Sequence, residues 1–62
     1  MDTATLIRSA RQRAGLTQTR LAMQANTSAP TISAYEHGTK QPRSDVLLRL
    51  LRAVLVRGDR RR

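Results

Sequence analysis

A chain of 62 residues with no Cys, one His and four acidic residues has room for one small domain. It has no disulfide and no plausible metal cage to brace it. Twelve Lys and Arg give a formal net charge of +8, a field that attracts nucleic acid or an anionic surface without specifying a fold. Hydrophobic residues make up 39% of the chain, too many for a wholly disordered segment. The longest apolar stretch, 46–56, is interrupted by Arg49 and Arg52, which excludes a transmembrane helix there. With no signal-peptide core at the N-terminus, a cytoplasmic, nucleoid-associated protein without a cofactor is expected.

The first periodic segment covers residues 3–14. Leu6, Ile7, Ala10 and Ala14 fall on one helical face, Asp2 or Thr3 offers a cap, and Gly15 can end the helix with positive φ. Thr17 caps a second helix over 18–25, whose buried face is Leu21, Ala22 and Ala25. Arg20 stands where a capping box would want Glu or Gln, so this cap is a single hydrogen bond. Asn26 then breaks the chain, because Asn tolerates the left-handed backbone of a sharp turn.

Thr27 or Ser28 caps a third helix reaching to about His37. Pro30 fits there because first-turn amides lack intrahelical partners, and Gly38 closes the helix. Residues 39–43 are a basic loop containing Pro42. Ser44 is the expected cap of the last helix, with Asp45 favourable to its dipole and an end near residue 57, before Gly58. Its inward stripe reads as Leu47, Leu50, Leu51 and Val54. Residues 1–57 form the expected domain, and 58–62 a basic tail with Arg60, Arg61 and Arg62.

A second helix, a tight turn and a third helix form the helix-turn-helix arrangement. Ile32 and Tyr35 face Leu16 and Leu21, while Ala29, Pro30, Ser33 and Ala34 face outward with Thr31 nearer the edge. Small side chains on an exposed helix permit close approach to a large partner. Arg11, Gly15-Leu16-Thr17-Gln18, Leu21-Ala22, Thr31-Ile32-Ser33, Glu36, Gly38 and Pro42 together resemble the Cro/CI-type (XRE) helix-turn-helix domain across about Leu6 to Val54.

That resemblance implies an all-α, lambda-repressor-like fold of four helices, the family's fifth being missing or replaced by the basic tail. It also implies binding of double-stranded DNA. Ser28, Ala29, Pro30, Thr31 and Ser33 match or flank the positions that meet base edges. Thr17, Gln18, Thr39, Lys40 and Arg43 match the phosphate-side positions, Gln18 also matches a residue that braces the third helix, and Arg11 and Glu36 match a partly buried ion pair. Relatives frequently carry Gln or Arg where Ala29 and Pro30 stand, so polar readout here is thin and thymine methyls and DNA shape carry part of the specificity.

Leu48 and Leu55 widen the apolar arc of the last helix. Either they bury against the first helix or the tail, or, with Leu51, they form a homodimer seam; the seam is the preferred expectation. The function expected is a bacterial or phage repressor acting as a dimer at a palindromic operator. An antitoxin that also binds a toxin, or a protein answering to an antirepressor, is the alternative. A cationic amphipathic peptide acting at membranes is disfavoured, since Gly15, Pro30 and Gly38 break the chain into short helices. No nucleophile–base pair, metal cluster or phosphate-cradling loop suggests an enzyme.

Overall fold

The computed structural model describes the backbone of residues 2–60 and the side chains of residues 2–55. Its elements are four helices, α1 (Thr3–Arg13), α2 (Gln18–Gln24), α3 (Ala29–His37) and α4 (Ser44–Arg60), with no strand among the described residues. The architecture is all-α. Local chemistry sets the first three starts. Asp2 Oδ1 accepts the amide of Thr5 at 2.9 Å, Thr17 Oγ1 that of Arg20 at 3.0 Å, and Ser28 Oγ that of Thr31 at 3.4 Å. Each satisfies one amide that would otherwise lack a partner.

The first three helices also end alike. The amides of Gly15 and Leu16 donate to the carbonyls of Gln12 and Arg11, those of Asn26 and Thr27 to Met23 and Ala22, and those of Gly38 and Thr39 to Tyr35 and Ala34. These crossed bonds are Schellman motifs, which need one left-handed residue each. Gly15, Asn26 and Gly38 supply it, with φ of 72°, 62° and 77°. Asn26 is the one position among these where a side chain has to tolerate that conformation.

The core joins all four helices. Ile7 of α1, Leu16 of the first turn, Leu21 and Ala22 of α2, Ala25 behind it, Ile32 and Tyr35 of α3, and Leu50 and Ala53 of α4 are buried together. Helix α3 packs on both α1 and α2, and α4 packs on the same two helices. The turn between α2 and α3 is tied to α4 as well, because Arg49 Nη1 donates to the carbonyl of Ala25 at 3.3 Å.

Helix α4 departs from expectation in three ways. Ser44 lies inside the helix instead of capping it, and the carbonyl of Arg43 accepts the first helical amide, that of Leu47, at 2.8 Å. One cap contributes about 1 kcal/mol, less than seating Val46, Leu47 and Leu50 on the core, so packing sets the start. The helix also runs through Gly58 to Arg60. A glycine costs a helix only about 1 kcal/mol, and no proline follows to force an end. Finally, the inward stripe includes buried Ala53, while Leu51 is half-buried and Leu47 and Val54 pack at the core's edge.

The left-handed turn makes one measurable demand. Asn26→Ala should cost about 1–2 kcal/mol, the penalty of placing an ordinary Cβ there. Asn26→Gly should equal or slightly exceed wild type. Urea midpoints decide it, and equal midpoints for all three proteins would contradict the turn geometry.

Candidate nucleic-acid interface

Helix α3 is held from behind by a carboxylate. The Glu36 side chain is 1% exposed and meets Arg11 in a two-pronged bond, Nε to Oε2 at 2.7 Å and Nη2 to Oε1 at 3.1 Å. The third prong, Nη1, donates to the carbonyl of Leu16 at 2.9 Å. Gln18 Nε2 donates to Glu36 Oε1 at 3.1 Å. Arg8 adds Nη2 to the Glu36 carbonyl at 3.3 Å and a looser charge contact, Nε to Oε1, at 3.8 Å. One side chain of α3 is thereby bound to α1 and to the first residue of α2, and through Arg11 it is linked to the first turn.

Burial opposes ionisation of the Glu36 carboxyl. The hydrogen bonds from Arg11 and Gln18, with the charges of Arg11 and Arg8, outweigh it and hold the pKa below the ordinary carboxylate value. The fork also explains why position 11 is Arg. Three of its donors are spent in fixed directions, a geometry a lysine ammonium cannot reproduce.

The opposite side of α3 is uncovered. At 100° per residue, Pro30, Ala34 and His37 lie across the helix axis from Ile32, with Ser33 and Thr31 on the flanks. Ser28, Pro30 and His37 are exposed, and Ala29, Thr31, Ser33 and Ala34 are half-buried. No long cationic or amide side chain stands on this face. Its polar groups are partly engaged with one another. Ser28 Oγ and Thr31 Oγ1 are 2.8 Å apart and share a hydrogen bond. The ring of His37 folds back so that Nδ1 lies 2.8 Å from the carbonyl of Ser33 and 3.3 Å from Ser33 Oγ. A carbonyl can only accept, so Nδ1 carries the proton and Nε2 faces outward.

The phosphate-side positions do not all present themselves equally. Lys40 and Arg43 are exposed and have no ion pair among the described residues. Thr17 spends a lone pair on its cap and has no acceptor for its own proton among the described residues, so that proton is available. It lines a shallow depression with Gly15, Leu16 and Arg20. Gln18 gives one amide hydrogen to Glu36 and keeps the other. Thr39 differs, because its hydroxyl donates to the carbonyl of Ala34 at 3.2 Å. A phosphate offers only acceptors, so contact through Thr39 would first require that bond to break.

The backbone path from Gln18 to His37, two short helices about a left-handed turn with one face clamped and the other bare, is that of a DNA-reading helix pair. A family model described as a helix-turn-helix domain matches residues 3–62. The chain belongs to this family. The membership is consistent with the Cro/CI-type resemblance and implies a DNA-binding protein. The match runs through 58–62, which sequence reasoning set apart as a tail. Side-chain positions of Arg57, Arg60, Arg61 and Arg62 lie outside the described residues. No curated protein and no solved structure matches the chain.

Some members of this helix-turn-helix site were missed in the sequence. Arg8 is three residues before Arg11, so the two share a helical face, and that spacing would have found it. The Gln18–Glu36 bond spans 18 positions, and only the family resemblance, which has Gln18 brace the third helix, pointed to it; the folded-back His37 had no such signal, since it depends on a rotamer.

Glu36 makes stability depend on pH with a definite sign. Its pKa is lower in the folded state, so its contribution is full above the unfolded carboxyl value, about 4.3. That contribution fades as pH falls through the folded value. Glu36→Gln should therefore be less stable than wild type near neutrality, with the gap closing in acid. Glu36→Ala should lose about 3–5 kcal/mol by stranding the Arg11 charge. Urea unfolding from neutral to acidic pH measures both, and a pH-independent gap would contradict the ionised knot.

Proposed function

We propose that the protein is a sequence-specific transcriptional regulator of the repressor type, binding double-stranded DNA as a homodimer at a palindromic operator. The observation that carries this reading is the division of α3 into a face clamped by Glu36 and an uncovered face of small residues centred on Pro30 and Ala34. Clamping fixes the helix as a rigid body, and small side chains let its backbone approach the floor of a major groove.

The cations support the same reading. Arg13, Arg20, Lys40 and Arg43 are exposed and without an ion pair among the described residues. They remain free to release counterions from a phosphate backbone. In this reading Thr17, Gln18, Lys40 and Arg43 fix the position of α3 against phosphates, and Ser28, Ala29, Pro30, Thr31 and Ser33 meet the base edges. Phosphate contacts set register without reading sequence.

Dimerisation is supported by α4. Leu48 and Leu55 are 61% and 69% exposed, so neither is buried against α1. They lie on one side of the helix, two turns apart, with half-buried Leu51 between them. Asp45, Arg49 and Arg52 stand beside Leu48 around a shallow depression. An apolar line edged by both signs of charge suits a second copy of itself across a two-fold axis, and paired copies suit paired half-sites.

Selection of bound duplexes from a random pool tests the reading directly. Recovered sites should show two inverted half-sites, and recovery of no enriched sequence would sink it. Leu48→Glu should sediment as a folded monomer with weakened operator affinity. A heteromeric complex with a toxin, and no self-association of the purified chain, would instead favour the antitoxin reading. Lys40→Ala and Arg43→Ala should each lower the slope of log affinity against log salt by about 1. Unchanged slopes would remove those residues from the phosphate contacts.

A further inference from the structure

We infer that the outward face of α3 reads the C5 methyl group of pyrimidines, so that thymine and 5-methylcytosine are both favoured over their unmethylated counterparts. This rests on the proposed insertion of α3 into a major groove and specifies what is read there.

Discrimination between bases by polar contact depends mainly on side chains that reach two atoms of one base edge at once, chiefly Arg, Lys, Asn and Gln. None of these occurs between Ser28 and Gly38. The polar atoms that do occur are hydroxyls and one imidazole. Ser28 and Thr31 share one hydrogen bond, so only one of their two protons is left to donate outward. Ser33 Oγ lies within reach of the anchored His37 Nδ1. A hydroxyl can both donate and accept and so suits any base edge, and these groups add affinity with little choice. His37 Nε2 is one further single contact.

The remaining surface is carbon. Pro30 and Ala34 on this face, with half-buried Ala29 at the start of the helix, contribute only methyl and ring methylene groups beyond the backbone, and Pro30 is exposed. In the major groove the one apolar feature that distinguishes bases is the C5 methyl of thymine. Cytosine methylated at C5 carries the same group in the same place. A reader that contacts the methyl and not the exocyclic atom at C4 responds to both. Removing one buried methyl from water contributes about 0.8 kcal/mol, close to a fourfold change in affinity.

The experiment starts from a duplex selected by the full chain from a random pool, resynthesised in several forms. Deoxyuridine in place of thymidine should weaken binding about fourfold for each contacted methyl. At those positions, exchanging T·A for C·G should also weaken binding, and 5-methylcytosine in the same C·G pair should recover part of the loss. The double variant Ala29→Gly/Ala34→Gly should bring the thymine-to-uracil ratio toward one. Its helicity would be checked by circular dichroism, and the modified duplexes on the wild-type chain do not depend on that variant. If the selected duplex binds and neither uracil nor 5-methylcytosine changes its affinity, this inference is overturned and the DNA reading stands. An unchanged ratio in a folded double variant would also overturn it, by assigning the uracil effect to the DNA. If no duplex is enriched from the pool, the DNA reading itself falls.

Discussion

The structure turns on the Glu36 carboxylate. Among the described residues, nine buried apolar residues make the core, three of them alanines, and a core of that size leaves helix orientations weakly determined on apolar grounds alone. Glu36 supplies direction. Its oxygens accept from Arg11 and Gln18, and Arg11 reaches the Leu16 carbonyl as well. Rotating α3 by one residue would swing Glu36 out of this arrangement and leave the Arg11 charge half-buried and unpaired. A buried ion pair is weak as a source of net stability, because desolvation consumes most of what attraction returns. Its asymmetry is the useful property. The correct orientation costs little, and every incorrect one strands a charge.

This orientation is also what any groove-reading role for α3 requires. Glu36 is adjacent in sequence to His37 and lies across the helix from Ala34. Fixing the one therefore fixes the other. The clamp is reinforced at the turn, where the left-handed Asn26 sets the angle between α2 and α3. Arg49 of α4 holds the Ala25 carbonyl just before it. Helix α2 has seven residues, far below the length at which an isolated helix persists in water. It exists because Leu21, Ala22 and the following Ala25 are buried in the core, where α2 packs on α3 and α4. The helix pair is therefore a product of the whole domain and is not expected to fold alone.

Legibility in the sequence followed the range of the interactions. Starts at Asp2, Thr17 and Ser28, and the left-handed residues Gly15, Asn26 and Gly38, are settled within one helical turn, and they could be read from adjacent residues. Pairing of Arg11 with Glu36 spans 25 positions and entered the sequence reading only through family resemblance. The ends of α4 were misread for two different reasons. Val46, Leu47 and Leu50 seat its start on the core, so Ser44 is left inside the helix, and Gly58, which costs a helix only about 1 kcal/mol, does not stop it. Ala53 escaped notice as a core residue because an alanine carries little hydrophobic signal, and it is buried where α4 comes close to α2, beside the Gln24 contact to its carbonyl at 3.5 Å. The Thr39 proton, spent on its own helix end, could not be deduced from residue type.

Thin base readout and pairing of copies belong to one physical problem. A nine-residue helix makes about two and a half turns, and only a few of its side chains can reach base edges. Without bidentate groups, each readable position on this face discriminates by about 1 kcal/mol or less. Unspecific attraction, by contrast, is strong for a chain of net charge +8. A single copy would therefore be held well on any duplex and choose poorly among them. Two copies on inverted half-sites add their discrimination free energies, which squares the ratio between right and wrong sites. They do so only if both reading helices are rigidly spaced. The proposed self-pairing line on α4 would meet that condition, since α4 packs on both α1 and α2, the two helices that hold α3. On this view the exposed leucines and the small-residue face answer the same deficit, one by multiplying weak choices and the other by making each choice through methyl contact.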